Sequence, residues 1–214
     1  MTAEKPDQSI RDVLFGDQDF DSWTSHKIAG EPWNSFAEAK AGLDRGDKAI
    51  CVEILKRITA TQGLESRHYT QAWHFLKQLG VTPPKETAKD LQAVVVEASW
   101  NGGLDIVAAY ADLHARYFNF SGAAVIWERP DTTLDVAIQN LLNAAQIVVN
   151  KIGPWTDRRP APPPQGQVRI NMLTPSGLHF GQAPFQLLAS DPLGGPVVAA
   201  AMKLMKELMG KTRR

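Results

Sequence analysis

The sequence has few of the features that assign a chain to a specialised class. It contains one cysteine, Cys51, so no disulfide can form within the chain. Cys51 stands in an apolar helical stretch, which favours a buried structural thiol over a reactive nucleophile. No apolar run approaches the roughly 18 residues of a membrane span, and the first 20 residues are too acidic for a signal peptide. We therefore expect a cytoplasmic protein without membrane contact.

A surplus of either charge is also missing. Lys and Arg together number 23, as do Asp and Glu, so the formal net charge is zero. A dedicated nucleic-acid binder usually carries a basic surplus, because neutralising phosphates drives its affinity. The composition therefore predicts no nucleic-acid partner. With 43% hydrophobic residues in 214, the chain fits a globular protein of one large or two small domains.

Recognisable catalytic motifs are missing as well. The histidines are scattered and have no cluster of carboxylates beside them, and His68 and His74 fall on different sides of a helix. Ser121 and Ser176 lack the Gly-x-Ser-x-Gly elbow of a nucleophilic serine, and no phosphate-binding loop occurs. The sequence predicts no metal, no cofactor and no catalytic residue. It favours a non-enzymatic chain, with an unrecognised enzyme as the alternative.

Helical patterns fill the first part of the chain after an irregular start. Residues 1–33 are predicted to form an irregular arm, in which Ile10, Val13, Leu14 and Phe15 can form one short helical turn and residues 16–32 show no clear periodicity. Ser35 and Glu38 have the spacing of a capping box, which predicts a helix start. Asp47 and Ser66 are predicted to cap two further helices. Apolar residues at helical spacing follow these two caps, so we expect three successive helices.

The stretches FAEAKAGLDRGDKAICVEILKRI and YTQAWHFLKQLG resemble the helical hairpins of the tetratricopeptide family. Ala37, Ala41 and Ala49 and the Gly46-Asp47 turn stand about where that family places small residues and its turn. The resemblance covers residues 34–80, about one and a half repeats, whereas a free-standing array needs about three. It implies a helical segment stabilised by its neighbour, and an ordinary three-helix cap is the alternative. No function follows from it.

Strand patterns begin after a polar linker at residues 81–90. Asn101-Gly102 is a strong hairpin motif, because both turn positions tolerate a positive φ. The predicted elements in order are strands at 91–98, 104–110, 113–119 and 123–128, a helix to about 152, strands at 167–173 and 178–180, and a final helix with Pro196 in its first turn.

This order predicts an α+β fold in which N-terminal helical hairpins pack against an antiparallel sheet. The sheet is expected to form from a four-strand meander, a helix, a hairpin and a last helix. We predict an arm at residues 1–33, a helical segment resembling tetratricopeptide repeats at 34–82, and an α+β domain at 91–210. The α+β element order is similar to that of roadblock, longin and profilin-like folds, a comparison that carries no function.

Strand alternation predicts one polar face of the sheet. The apolar neighbours on the third, fifth and sixth strands, Leu178 and Phe180 among them, are expected to face the helices. The opposite face is then predicted to be open and partly cationic, which suits an anionic small molecule or an acidic segment. A solvated face, or one covered by the N-terminal helices with its charges paired, is the alternative. The candidate ligand-binding residues on it are His114, Arg116, Arg169, Asn171 and His179.

Two functional hypotheses follow. The first is a non-enzymatic interaction or regulatory protein that binds another protein or itself. It draws on the missing catalytic motifs, the aromatic arm and a proline-rich loop at residues 155–166. The second is a domain that binds a small anionic ligand, or an unrecognised enzyme, built around Arg116, Arg169 and His179. The second hypothesis requires these side chains to converge on one pocket.

Overall fold

The computed structural model describes residues 6–25, 28–100 and 102–211. Contacts divide the chain into two compact units, residues 1–88 with 175–177 and residues 89–174 with 178–214. Within the described residues, eight helices and a six-stranded antiparallel sheet occur, with the strands after the first five helices. The predicted α+β class is confirmed.

The first unit contains five helices among its described residues. They are α1 (Pro6–Phe15), α2 (Phe20–Thr24), α3 (Trp33–Asp44), α4 (Lys48–Ala60) and α5 (Ser66–Gln78). The short helical turn predicted at residues 10–15 lies within α1, which begins earlier, at Pro6, and the prediction of an irregular stretch is wrong for α2. A local cap explains α2, because the Asp19 carboxylate accepts a hydrogen bond from the Ser22 amide at 2.8 Å. Trp23 of the same helix is buried and anchors it in the core.

The predicted helix caps had mixed outcomes. Asp47 caps α4 as predicted, accepting from the Ile50 amide at 3.0 Å. The capping box at Ser35 is wrong, because α3 begins two residues earlier and the Ser35 hydroxyl donates to Glu31 Oε2 at 2.6 Å. Ser66 is the first residue of α5 rather than its cap.

Close backbone approach and one buried amide hold the first unit together. A Cβ on Gly42 would lie 2.6 Å from Ile50 Cγ2, so glycine lets α3 and α4 pack closely. The fully buried Gln71 amide donates to the Gln18 carbonyl at 2.8 Å and accepts from the Gln18 amide at 3.2 Å. This pair of bonds fastens the segment after α1 to α5 and satisfies a polar group that would otherwise be costly to bury.

The second unit contains the sheet and three helices. Its elements are β1 (Ala93–Trp100), β2 (Gly103–Tyr110), β3 (Ala115–Phe118), β4 (Ala124–Trp127), α6 (Asp135–Lys151), β5 (Gln167–Thr174), β6 (Gly177–Pro184), α7 (Phe185–Ser190) and α8 (Gly194–Lys211). The strand order is β4-β3-β2-β1-β5-β6, so the predicted meander and hairpin join side by side. Asn101 of the predicted turn lies outside the described residues, and Trp100 pairs with Gly103 around it. β6 is longer than predicted, and α7 was not predicted.

Helices α6 and α8 pack against one side of the sheet, which we call the helix face. Val94 and Val96 of β1 point there, into a core shared with Ile138 and Leu204 of the two helices. The other side, which we call the second face, is also buried at the middle of the sheet. Its residues Val95, Ala108 and Leu173 are all less than one-tenth exposed. The inner strands β2, β1 and β5 are therefore covered on both faces at these positions.

Candidate functional site

The predicted alternation is confirmed for β3 and β5. Ala115 and Tyr117 of β3, and Val168, Ile170 and Met172 of β5, belong to the core of the helix face. Arg116, Arg169 and Asn171 alternate with them and therefore point to the second face. Three of the five candidate residues thus share one side of the sheet.

The face predicted for His179 is wrong. The Phe180 ring lies under the Arg169 guanidinium, 5.4 Å from its carbon to the ring centroid, so Phe180 points to the second face. Ala183, three residues further along β6, packs against the helix-face core. Alternation then assigns the fully buried His179 to the helix face. His179 cannot contribute to a site on the second face.

A buried polar network occupies the second face where β1 and β5 pair. Asn171 donates to the Glu97 carboxylate at 3.1 Å and to the Val95 carbonyl at 2.9 Å. Arg169 Nη1 lies 3.7 Å from the same Glu97 oxygen. Glu97 and Asn171 are 0% exposed and Arg169 is 4% exposed. The prediction of an open face is therefore wrong for Arg169 and Asn171, and His179 is buried as well.

Arg169 also holds the proline-rich loop against the sheet. Its Nη1 donates to the Ala161 carbonyl at 2.6 Å and to the Pro160 carbonyl at 3.4 Å. Its Nε and Nη2 both donate to Gln182 Oε1, the former at 2.7 Å. The guanidinium fork that we predicted to bind an anionic ligand is thus engaged by groups of the chain itself. These contacts give Arg169 a structural role.

Arg116 and His114 lie elsewhere on the sheet. One row across four neighbouring strands contains Arg116 of β3, Ala108 of β2, Val95 of β1 and Asn171 of β5. Three strand spacings of about 4.8 Å separate Arg116 from Asn171 by about 14 Å. Arg116 pairs with Glu128 at 2.7 Å, and His114 Nδ1 lies 3.6 Å from Asp112.

The five candidate residues therefore do not converge on one pocket. Arg169 and Asn171 belong to the buried network, Arg116 pairs with Glu128, His114 lies beside Asp112, and His179 is on the other face. The ligand-binding role itself stays a prediction. Sequence reasoning missed Glu97, although a lone carboxylate inside the apolar run VVVEA was a usable signal, since a buried charge requires a partner.

The outer edge of β4 is the feature of the described residues best suited to bind something. Asn119 and Ala123 form a hydrogen-bonded pair at the β3–β4 turn, with the Asn119 amide donating to the Ala123 carbonyl at 2.9 Å. Because hydrogen-bonded pairs alternate in an antiparallel ladder, Val125 and Trp127 also bond to β3. The amides and carbonyls of Ala124 and Ile126 then point outward. We call this outward backbone, with the Ile126 side chain, the β4 edge.

The β4 edge is free and apolar. β4 is the last strand of the sheet, and no described residue hydrogen-bonds to its outer side. Ile126 points to the second face and is 59% exposed, and Ala124 beside it is exposed. The strand AVIW contains no lysine, no proline and no other charge, although such residues commonly protect a free strand edge. Among these protective features, β4 has only its short length of four residues.

The opposite edge of the sheet is partly covered by the chain itself. The Trp155 amide donates to the Leu178 carbonyl of β6 at 2.6 Å, and the Trp155 ring meets Phe180 edge-on with centroids 5.2 Å apart. Pro184 at the end of β6 has no amide to donate. The chain therefore protects the start and the end of the β6 edge, whereas the β4 edge has no such contact from the described residues.

Titratable groups give no catalytic constellation in the parts of the chain that the structure describes. Burial raises the pKa of the Cys51 thiol, which disfavours the reactive thiolate. Burial, with a smaller contribution from the Asp105 charge, raises the pKa of Tyr117 in the helix-face core. Among the described residues, no group of three or more His, Cys, Asp or Glu side chains could hold a metal ion.

Comparison with known proteins adds no assignment. No protein-family model matches the chain, and neither a curated protein nor a solved structure matches it significantly. Within residues 6–25, 28–100 and 102–211, no helix has the length and apolar composition needed to cross a bilayer.

Proposed function

We propose that the chain is a non-enzymatic interaction protein whose α+β unit binds an extended protein segment along the β4 edge. The observation that carries this proposal is the uncharged outer side of β4, which has no partner strand in the described part of the chain and beside which the Ile126 side chain is 59% exposed. β4 leaves the backbone groups of Ala124 and Ile126 without a partner strand, whereas the chain itself bonds the start of β6 at Leu178 and ends that strand at Pro184. A free edge is a template for an added strand, which supplies backbone hydrogen bonds as affinity.

The side chains around the β4 edge support the same mode of binding. In strand addition, alternate side chains contribute contacts that distinguish one partner from another. Ile126 supplies an exposed apolar contact beside the outward backbone. Arg116 and Glu128 form an ion pair next to it, with the Glu128 side chain 52% exposed. This arrangement provides an apolar centre with a polar rim, as protein interfaces usually have.

The contacts of the two arginines argue for this function over anionic-ligand binding. Arg169 is buried against backbone carbonyls and Gln182, and Arg116 is paired with Glu128. A ligand at either position would have to displace partners that belong to the chain. We also propose a cytoplasmic location, which the single buried thiol of Cys51 supports, because disulfides are rare in that compartment.

Affinity purification from the native cell tests the proposal with a matched pair of variants. Ile126→Lys puts a charge at the β4 edge, whereas Ile147→Lys makes the same change at a similarly exposed position on α6. We expect the wild type and Ile147→Lys to recover the same proteins, native copies of this chain included. We expect Ile126→Lys to lose them. Equal recovery by Ile126→Lys, or no specific protein with the wild type, would contradict the proposal.

A further inference from the structure

The partner strand at the β4 edge can be specified further. Resting on the proposed function, we infer that it is β4 of a second copy of this chain. The two strands run antiparallel about a two-fold axis at Ile126, so that the sheets of both copies join. An isologous contact of this kind requires only that one surface complement itself.

The outward backbone groups fit this register. Ala124 and Ile126 present their amides and carbonyls on the same side of the chain, because these groups alternate along a strand, and Glu128 follows directly after β4. With Ile126 opposite Ile126 of the second copy, Ala124 stands opposite Glu128 of that copy. The Ile126 pair at the centre can exchange hydrogen bonds in both directions. The ladder uses the outward groups of Ala124 and Ile126 and ends at Glu128, the residue after β4.

The charges favour the antiparallel pairing. Glu128 is the only charged residue in the paired stretch. A parallel pairing in register would set the two Glu128 side chains side by side, which is unfavourable. The two-fold pairing instead separates them by four residues, about 13 Å. It also places the small Ala124 opposite Glu128, so that the Glu128–Arg116 ion pair can persist.

The apolar side chains complement each other on both faces. On the second face the register brings the two exposed Ile126 side chains together. On the helix face it sets Val125 beside Trp127 of the second copy, and both residues already contact the helix-face core. Cross-strand pairs of aromatic and β-branched residues stabilise sheets. The exposed isoleucine is thereby removed from water.

A charge exchange at position 126 tests the register directly. The purified full chain is examined by sedimentation equilibrium over a range of concentrations as wild type, Ile126→Lys, Ile126→Glu and an equimolar mixture of the two variants. The wild type is expected to form a reversible dimer. Each variant alone should dissociate about tenfold more readily or more, because an apolar contact is lost and like charges meet. The mixture should recover the dimer, because opposite charges would then meet across the two-fold axis.

The outcomes separate this inference from the proposed function. A wild type that stays monomeric, a variant that dimerises like the wild type, or a mixture that stays monomeric would overturn the second copy as partner. Ile147→Lys is the control and should dimerise normally. Circular dichroism of each variant checks the fold, and exposed Ile126 can be replaced without disturbing a core. If capture of another protein still depends on Ile126 while the chain is monomeric, the proposed function stands with a different occupant.

Discussion

Replacing Arg169 by methionine is expected to destabilise the second unit strongly. Arg169→Met keeps most of the apolar stem over Phe180 but removes the guanidinium. It breaks the bonds to Gln182 and Ala161 and takes away the cation beside the Glu97 carboxylate, which is 0% exposed. The change therefore tests whether Arg169 stabilises the buried network rather than binding a ligand.

The magnitude follows from the burial of both charges. Removing one partner of a buried ion pair costs about 3–5 kcal/mol, because the remaining charge stays desolvated. Since Glu97 and Arg169 are both almost fully buried, solvent can do little to stabilise the unpaired Glu97 charge. Domains have total stabilities of about 5–15 kcal/mol, so Arg169→Met should remove a large fraction. Arg116→Met is the matched control, because its partner Glu128 is half exposed and such pairs contribute about 1 kcal/mol or less.

Urea unfolding followed by circular dichroism measures these differences. A second variant, Glu97→Gln with Arg169→Met, replaces the remaining buried carboxylate by a neutral amide. We expect it to recover about 1–3 kcal/mol relative to Arg169→Met, the coupling typical of contacting groups. The reasoning would be refuted if Arg169→Met cost no more than Arg116→Met. It would also fail if the double variant were no more stable than Arg169→Met.

Three smaller predictions concern a turn, a thiol and a helix cap. Gly122 has φ +87° with open space around it, so Gly122→Ala should lower the free energy of unfolding by about 1–2 kcal/mol. Gly153 also lies in open space, and Gly153→Ala should stay within about 0.5 kcal/mol of the wild type. Equal effects of the two changes in urea unfolding would contradict the conformational explanation. Cys51 is fully buried, so it should react with a thiol-specific disulfide reagent only as fast as the protein unfolds; rapid reaction in native buffer would show that the thiol is accessible. Hydrogen bonds from Ser22 lower the pKa of Asp19 below its ordinary 3.8, so the stabilisation by this cap is present at neutral pH and is lost as the pH falls through the lowered pKa. Asp19→Asn should therefore make stability less dependent on pH in acid, and an unchanged pH profile would rule this out.

The sequence predicted the parts of the fold that depend on local patterns. Apolar periodicity located α4 and α5, and Asp47 marked the start of α4 with its own side chain. Alternation assigned the faces of β3 and β5 correctly. Two kinds of local feature were missed or predicted wrongly. α7 has six residues, too few to show a helical period. The Ser35 hydroxyl bonds to Glu31 instead of capping α3, and α5 begins at Ser66 itself, one residue earlier than a cap there would allow.

The candidate site was less predictable because it depends on contacts distant in sequence. Alternation divides the residues of β6 into two sets but does not say which set is buried with the helices, and for His179 the choice was wrong. The burial of Arg169 depends on the loop carbonyls of Pro160 and Ala161, which no periodicity reveals. The free β4 edge likewise required the strand order, which places β4 last in the sheet.

Amide hydrogen exchange at two neighbouring residues of β4 tests the central claim most directly. The Val125 amide points to β3, whereas the Ile126 amide points to the β4 edge. At high protein concentration we predict that both amides are protected, and on dilution that Ile126 loses protection while Val125 keeps it. An Ile126 amide that exchanges as fast as in an unfolded peptide at every concentration, or whose protection never changes, would contradict pairing of a second copy at this edge.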